Sequence, residues 1–253
     1  MDIATLGGLI IGIGAVLVAF LMEGGQLSVL FHLPAMLIVV AGAFGAATVT
    51  TSLKTLGNIP RLLKIAFSPR NTDLMALIDK IIALAERARR EGILGLEKNF
   101  DEATNPFFKK AIQHVIDGTE VTQLRNILET DMAYTEDRHK AGIMFFQKLG
   151  GFSPTMGIIG TVLGLIHALS QVDEPSRIAG AIAGAFIATL WGIALANLCY
   201  LPISDKLRYR HQQEAKSLEI ILEGMISIQS GENPRYIKNK LLSFITPQRR
   251  ELK

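Results

Sequence analysis

The chain has 253 residues, of which 49% are hydrophobic and 19% are charged, and its formal net charge is +3. Soluble domains average about 25% charged residues, so this composition excludes an ordinary soluble domain, and its high apolar content excludes a disordered chain. The single cysteine allows neither an internal disulfide nor a cysteine cluster for zinc. The charged segments are short and mixed in sign, so we expect no nucleic-acid partner.

The charges leave four long gaps along the chain. No Asp, Glu, Lys or Arg occurs in residues 3–22, 30–53, 149–172 or 178–204. Each gap is at least as long as the roughly 20 residues that cross a bilayer as a helix. The sequence therefore predicts a polytopic membrane protein with four transmembrane helices.

The basic residues predict how these spans are oriented. Residues 54–148 carry 15 of the 26 Lys and Arg residues, residues 205–253 carry 10, and the remaining one is Arg177. Lys and Arg accumulate on the cytoplasmic side of membrane proteins. We therefore expect both termini and residues 54–148 in the cytoplasm, with only short loops on the outer side.

The parts outside the spans carry helix caps and breakers and lack alternating strand patterns. The signals are an N-cap at Asn71-Thr72-Asp73 with a stop at Gly92, a start at Asn105-Pro106 with a stop at Gly118, a cap at Thr119, and a start at Asn233-Pro234. The sequence predicts an all-α protein in four segments: spans one and two (1–53), a cytoplasmic helical domain (54–148), spans three and four (149–204), and a helical tail (205–253).

Small residues are spaced four apart in three of the spans, as the pairs Gly8/Gly12, Gly160/Gly164 and Gly180/Gly184. Such pairs let helix backbones approach closely, either within one bundle, which is the commoner case, or between copies of the chain or against a partner helix. No span holds a carboxylate, although ion-coupled transporters usually bury one. A channel built from this chain therefore needs a carboxylate from another chain.

Spans three and four contain the polar groups of most interest. Thr155, Thr161 and Thr189 either bond to their own helix backbone or line a polar path, and we expect Thr161 and Thr189 at similar depth. Pro154 and Pro202 are also expected at similar depth, either as ordinary kinks or as a hinge pair.

Other candidate chemistry is sparse. His32 and His167 are the ionisable groups at membrane depth, and we interpret both as interfacial or packing residues. No Gly-rich phosphate loop, HExxH or GxSxG motif is present. We therefore expect no enzyme, no metal site and no cofactor.

Local sequences along the whole chain resemble, in order, those of the flagellar stator family typified by MotA and its sodium-type relative PomA. The matching segments are Ala88-Arg89-Arg90-Glu91-Gly92-Ile93-Leu94-Gly95-Leu96-Glu97, Val115-Ile116-Asp117-Gly118, Glu136-Asp137-Arg138-His139, Ser153-Pro154-Thr155-Met156-Gly157 through Leu165, Ala188-Thr189-Leu190-Trp191-Gly192, Pro202-Ile203-Ser204-Asp205-Lys206-Leu207 and Gly231-Glu232-Asn233-Pro234.

The resemblance implies an inner-membrane complex in which five copies of the chain surround two single-span partners of the MotB type. The partner is expected to supply the intramembrane Asp and a peptidoglycan anchor. The ring, embedded in membrane lipid, is expected to push on the rotor protein FliG. In such a complex the first two spans are peripheral and the last two face the pore.

The resemblance also implies roles for individual residues: ion pathway (Thr161, Thr189, Thr155 and Ala188), coupling prolines (Pro154 and Pro202) and rotor contact (Arg89, Arg90 and Glu97). The transported ion is a proton or sodium. Threonine at Thr161 is typical of sodium-type relatives, whereas alanine at Ala188 is typical of proton types. His32 stands where a sodium-type relative has Asp, so the proton is favoured.

Two alternatives stay open at this point. An ExbB/TolQ-type motor subunit, which energises outer-membrane processes, resembles spans three and four but lacks the first two spans. A self-contained transporter or membrane enzyme is disfavoured by the absence of a buried carboxylate, base or nucleophile cluster.

Overall fold

The computed structural model describes residues 3–68, 73–102 and 105–246. Throughout these residues the chain forms helices and no strand, which confirms the predicted all-α class. In chain order the elements are α1 (Ile3–Met22), α2 (Leu27–Leu30), α3 (Leu33–Val49), α4 (Leu53–Gly57), α5 (Ile59–Phe67), α6 (Leu74–Glu91), a 3₁₀ segment (Ile93–Glu102), α7 (Pro106–Ile116), α8 (Val121–Leu169), α9 (Pro175–Leu195), a π-helical turn (Ala196–Tyr200), α10 (Leu201–Gln229) and α11 (Pro234–Leu242).

The helices form two compact units. The first, here called the membrane unit, comprises Met1–Pro69 and His139–Arg210, and the second, the peripheral unit, comprises Arg70–Arg138 and His211–Lys253. Helices α8 and α10 contribute residues to both. The units are defined by packing and the four predicted segments by membrane boundaries, so the segments stay a prediction.

Apolar helices dominate the membrane unit. Within the described residues, three helical stretches are long and apolar enough to cross a membrane, and they lie in α1, in α8 and in the run from α9 into α10. Helix α3 is apolar but has only 17 residues, the lower limit for a span. The structure thus supports a membrane protein with several spanning helices, while the count of four stays a prediction.

The peripheral unit is built around a continuous apolar core. Its fully buried side chains come from α6 to α8, α10, α11 and the 3₁₀ segment, and the largest are Ile78, Ile81, Leu96, Ile112, Leu124, Leu128, Ile220, Ile221, Met225, Ile237 and Leu241. Each element here is amphipathic and buries one face, as expected for helices that surround a common core.

Local caps begin and end these helices largely as predicted. The carboxylate of Asp73 accepts hydrogen bonds from the amides of Met75 and Ala76 at 3.0 and 3.2 Å; Asn71 and Thr72 lie outside the described residues. Helix α6 ends at Gly92, which has a φ of +79°, a conformation that glycine adopts without steric cost. The side chains of Asn105 and Asn233 cap α7 and α11, also as predicted.

The predicted cap at Thr119 is wrong. Helix α8 begins at Val121, and the carboxylate of Glu120 accepts hydrogen bonds from the amides of Thr122 and Gln123 at 3.1 and 3.2 Å. These bonds hold the pKa of Glu120 below its ordinary value, with the Thr122 amide as the largest cause. The carbonyl oxygen of Thr119 accepts a hydrogen bond from Gln229 at 2.7 Å instead.

Candidate functional site

Glycines bring the backbones of α8 and α9 into direct contact. A methyl group on Gly157 would lie 2.9 Å from the carbonyl oxygen of Ala188, and one on Gly192 would lie 2.7 Å from the carbonyl oxygen of Ser153. Any side chain at either position would collide with backbone atoms, which move only if the helices separate. The α8–α9 seam therefore requires glycine at both places.

The predicted small-residue pairs differ in their surroundings. A methyl group on Gly160 or Gly164 would lie 2.7 Å from an alanine Cβ of α9, so this pair packs within the chain. By contrast, Gly8 and Gly180 have no other side chain or backbone within 4 Å among the described residues. Packing within one chain therefore accounts for both glycines of only one pair, Gly160/Gly164.

The hydroxyls of Thr161 and Thr189 meet across the α8–α9 seam. The Thr161 hydroxyl also lies 3.0 Å from the carbonyl oxygen of Gly157 on its own helix and 3.1 Å from that of Ala185 on α9. A hydroxyl carries one hydrogen and two lone pairs, so Thr161 donates to one carbonyl at a time and accepts from Thr189. The two threonines lie at the same depth, as predicted, and form a polar contact inside apolar surroundings.

The other two predicted pathway residues make no polar side-chain contact with this pair. Ala188 is 1% exposed and packs with Ala35, Ile187 and Trp191, and its Cβ also lies against Gly160 of α8. Thr155 is exposed, and its hydroxyl donates to the carbonyl oxygen of Phe152 at 2.8 Å. Within one copy of the chain, neither residue joins the Thr161–Thr189 contact.

Pro154 and Pro202 flank a contact between α8 and α10. A methyl group on Gly150, one turn before Pro154, would lie 2.5 Å from the side chain of Leu201, the residue before Pro202. The amide of Leu201 bonds to the carbonyl oxygen five residues earlier, that of Ala196, in the π-helical turn. Proline lacks an N–H and clashes with the fourth carbonyl back, and a wider turn next to it accommodates that clash.

His32 packs against α9 at the start of α3. A methyl group on Gly184 would lie 3.0 Å from its ring Cε1, so the second predicted glycine of this pair makes room for an imidazole. Nearby, the indole N–H of Trp191 donates to the carbonyl oxygen of Leu30 at 2.8 Å. Together these contacts hold the α2–α3 connection on α9, which fits the packing interpretation of His32.

Two polar contacts between helices were not predicted from the sequence. The ammonium group of Lys148 donates to the carbonyl and hydroxyl oxygens of Thr50, at 3.2 and 2.8 Å, and so closes the C-terminal end of α3. The buried hydroxyl of Ser204 donates to the carbonyl oxygen of Ile143 at 3.1 Å and joins α10 to α8. The sequence did offer a signal for the Lys148 contact, since this Lys stands directly before an uncharged stretch.

The predicted rotor-contact residues lie together in the peripheral unit. Arg89 and Arg90 are exposed in the last turn of α6, and Glu97 is exposed in the 3₁₀ segment that follows. Gly95 packs this segment against the side chain of Glu91. None of the three charges makes an ion pair with the part of the chain that the structure describes, so all are free to meet a partner.

A carboxylate also links three helices of the peripheral unit. Glu223 on α10 pairs with Lys240 on α11 at 2.8 Å and with Arg125 on α8 at 3.0 Å. Burial raises the pKa of Glu223, but the hydrogen bonds from Lys240 and Arg125 outweigh burial and leave the pKa below its ordinary value. Across the described residues, no group of three His, Cys, Asp or Glu side chains is arranged to hold a metal ion.

The chain matches two family models and is similar to known proteins over nearly its whole length. Residues 99–220 match the MotA/TolQ/ExbB proton channel family, and residues 6–92 match the Motility protein A N-terminal family. Chemotaxis protein PomA of Vibrio alginolyticus is 35% identical over 252 residues, covering 100% of this chain and 98% of that protein. Motility protein A of Bacillus subtilis is 34% identical over 246 residues, covering 97% and 91%.

Solved structures agree with these relatives. MotAB of C. jejuni superposes with a TM-score of 0.92 at 32% identity, covering 98% of this chain and 97% of that one. The flagellar MotAB stator complex from Bacillus subtilis gives 0.90 at 33% identity, covering 97% and 96%. Because the N-terminal helices match as well, the stator interpretation is favoured over the ExbB/TolQ type. The chain belongs to the MotA/TolQ/ExbB proton channel family and is a flagellar stator subunit related to Motility protein A along its whole length.

Proposed function

We propose that five copies of this chain surround two copies of a MotB-type single-span protein and that ion flow through the complex turns this ring against the rotor protein FliG. Full-length similarity to Motility protein A and PomA, and to two MotAB structures, supports a MotB-type partner. Both termini and the basic segments face the cytoplasm in this arrangement, as the distribution of Lys and Arg predicts.

The observation that carries the proposal is the Thr161–Thr189 contact in a seam without carboxylates. No span of the chain contains Asp, Glu, Lys or Arg, yet the two hydroxyls and the Ala185 carbonyl group polar oxygens at one depth. Such oxygens are able to position water or an ion but do not exchange a proton near neutral pH. The exchanging group is then the intramembrane Asp of the partner, set against this seam.

The favoured ion is the proton. Hard cations in proteins are surrounded by several oxygen ligands, and the side chain of Ala188 offers no oxygen where a threonine would offer one. The Thr161 hydroxyl already bonds to the backbone and to Thr189. A proton needs only water and the partner's Asp, so this sparse set of oxygens suits it better than sodium.

Pro154 and Pro202 couple the ion site to the rest of the chain in this mechanism. Both flank the Gly150–Leu201 contact, and Pro154 lies one turn from Gly157 in the α8–α9 seam. A change in seam spacing on protonation of the partner's Asp would reach α10 through this contact. The exposed Arg89, Arg90 and Glu97 then meet FliG.

Reconstitution in liposomes tests the shared channel. The purified chain alone should give no proton or sodium current, whereas co-reconstitution with the MotB-type partner, freed of any segment that blocks conduction, should give one. A partner whose intramembrane Asp is replaced by Asn serves as the matched control and should conduct nothing. Substantial current from this chain alone would refute the proposal that the partner supplies the essential carboxylate.

A further inference from the structure

A basic surface lies directly after α3, in a region without acidic residues. Residues 24–72 contain no Asp or Glu. Lys54 on α4 and Arg61 and Lys64 on α5 are all exposed. None of them makes an ion pair with the residues that the structure describes. Within the described residues, their charges are therefore unbalanced.

The face of α5 opposite to Arg61 and Lys64 packs against the rest of the membrane unit. Ala66 is fully buried, and Leu62 lies against Gly142 of α8, where a methyl group on the glycine would be 2.8 Å from the Leu62 Cδ1. Both contacts belong to the apolar core of the membrane unit. Because the apolar face of α5 is used for packing, its Arg61 and Lys64 are fixed on the outer face.

The surface sits where an apolar helix ends. Helix α3 ends at Val49, and the ammonium group of Lys148 closes that end through the carbonyl oxygen of Thr50. Val49 and Leu53 are each 85% exposed. Exposed apolar side chains directly beside cationic ones are typical of the boundary between acyl chains and headgroups.

We propose that this α4–α5 surface, made of Val49, Leu53, Lys54, Arg61 and Lys64, binds anionic phospholipid headgroups of the phosphatidylglycerol class. The phosphates pair with the three cations while Val49 and Leu53 rest on the acyl chains. Basic segments next to a spanning helix are attracted to anionic leaflets. An acidic protein would match the charges but not the two exposed apolar residues at the end of α3. The proposal rests on membrane insertion and not on stator activity.

The test uses the full-length chain in nanodiscs of phosphatidylcholine with and without phosphatidylglycerol. The variant carries Lys54→Gln, Arg61→Gln and Lys64→Gln. The matched control carries Lys80→Gln, Arg235→Gln and Lys238→Gln, three exposed residues of the peripheral unit with the same total charge change. Lipids retained after mild detergent extraction are quantified by mass spectrometry, and circular dichroism verifies folding.

We expect the parent and the control to retain phosphatidylglycerol selectively, and the α4–α5 variant to lose at least about tenfold of that selectivity at low salt. Raising the salt concentration should weaken retention by the parent, because exposed charges are screened. The charge-conserving pair Lys54→Arg and Lys64→Arg should keep it. If the triple variant fails to fold, Arg61→Gln and Lys64→Gln are measured singly and should each lower selectivity.

Equal phosphatidylglycerol selectivity in the parent and the α4–α5 variant would overturn the proposal. An equal loss in the control variant would also overturn it, because net charge and not this surface would then be responsible. A parent without lipid selectivity whose α4–α5 variant nevertheless loses motility would assign the surface to an acidic protein. Lipid selectivity is measured without ion conduction, so an equal selectivity of parent and variant would leave the stator function untouched.

Discussion

The Thr161 hydroxyl on α8 contacts the Thr189 hydroxyl on α9 and lies 3.1 Å from the carbonyl oxygen of Ala185. This contact joins the two helices at a point where the glycines of the seam have already brought their backbones together. The close approach of the two helix backbones therefore also brings the hydroxyl and carbonyl oxygens together. Changes at these residues should separate effects on the ion from effects on packing.

The first prediction concerns the coupling ion. At a fixed proton-motive force, motor speed in the parent should not depend on sodium concentration. Thr161→Ala should slow the motor moderately, because it removes the partner of the Thr189 hydroxyl across the seam at a cost of about 1–3 kcal/mol. Thr161→Ser keeps the hydroxyl and serves as the control. Speed proportional to sodium in the parent and in Thr161→Ser, but lost in Thr161→Ala, would instead identify sodium.

The second prediction concerns the seam. Gly157→Ala places a methyl group 2.9 Å from a backbone oxygen of α9, so the helices must move apart, at a cost of about 1–3 kcal/mol typical of overpacking. Gly151→Ala is the matched control, since no other part of the described chain lies within 4 Å of that position. Thermal unfolding in detergent measures the difference. Equal stability of the two variants would mean that the seam is looser than described.

The third prediction concerns the prolines. Pro154→Ala restores an N–H that is able to bond to the Gly150 carbonyl and removes the ring that clashes with this carbonyl. Pro202→Ala should likewise favour an ordinary α-helical turn in place of the π-helical turn. We expect both variants to assemble with the partner but to lose torque at high load. Tethered-cell rotation and co-purification measure the two properties. Normal torque in both variants would reduce the prolines to ordinary kinks.

Signals that act within a few residues were read correctly from the sequence. Asp73, Asn105 and Asn233 cap their helices because each side chain bonds to amides two or three positions ahead. The predicted cap at Thr119 was wrong because of a tertiary contact. The side chain of Gln229, 110 positions away, donates a hydrogen bond to the carbonyl oxygen of Thr119, and the carboxylate of Glu120 caps the first amides of α8 instead. Capping preference favours Thr over Glu, so no local rule would have reversed the choice.

Long-range partners in the membrane unit were only partly predictable. Small residues predicted close helix packing but not which glycine meets which surface, since Gly160 faces an alanine while Gly184 faces the ring of His32. The equal depth of Thr161 and Thr189 followed from the antiparallel order of the spans. Ala188, the neighbour of Thr189, points toward Gly160 of α8 and Ala35 of α3 instead of into the Thr161–Thr189 contact, because successive helical residues point about 100° apart.

The fourth prediction concerns acid stability of the peripheral unit. The folded pKa of Glu223 lies below its unfolded value, so its contribution is complete above about pH 4.3 and is lost as the pH falls through the folded pKa. Glu223→Gln should cost about 1–3 kcal/mol at neutral pH and remove this part of the pH dependence. Glu129→Gln, whose side chain is 52% exposed, should change stability by no more than about 1 kcal/mol. Thermal unfolding of each variant is measured across the acid range. Identical curves of stability against pH for Glu223→Gln and the parent would refute the role of this cluster.

The fifth prediction concerns the rotor contact. Arg89 and Glu97 are exposed in the peripheral unit and have no ion-pair partner among the described residues, so reversing either charge should leave folding and membrane expression unchanged. Complementary charges govern the rate and register of protein association. Arg89→Glu or Glu97→Lys should therefore reduce recruitment to the motor and torque. Lys80→Glu, also exposed on α6, is the control and should swim normally.

A charge reversal on the rotor decides whether that loss reflects direct contact. If Arg89 and Glu97 meet FliG, reversing an opposing charge on FliG should restore part of the motility lost in the matching single variant and should not rescue the other. Such pairwise rescue indicates a direct contact and not an effect of net charge, because each reversal on FliG restores only the variant whose charge it meets. Motility in soft agar and localisation of a fluorescent stator are measured at low expression, where recruitment limits torque. Full motility of both single reversals under that condition would leave Arg89 and Glu97 as solvated surface charges.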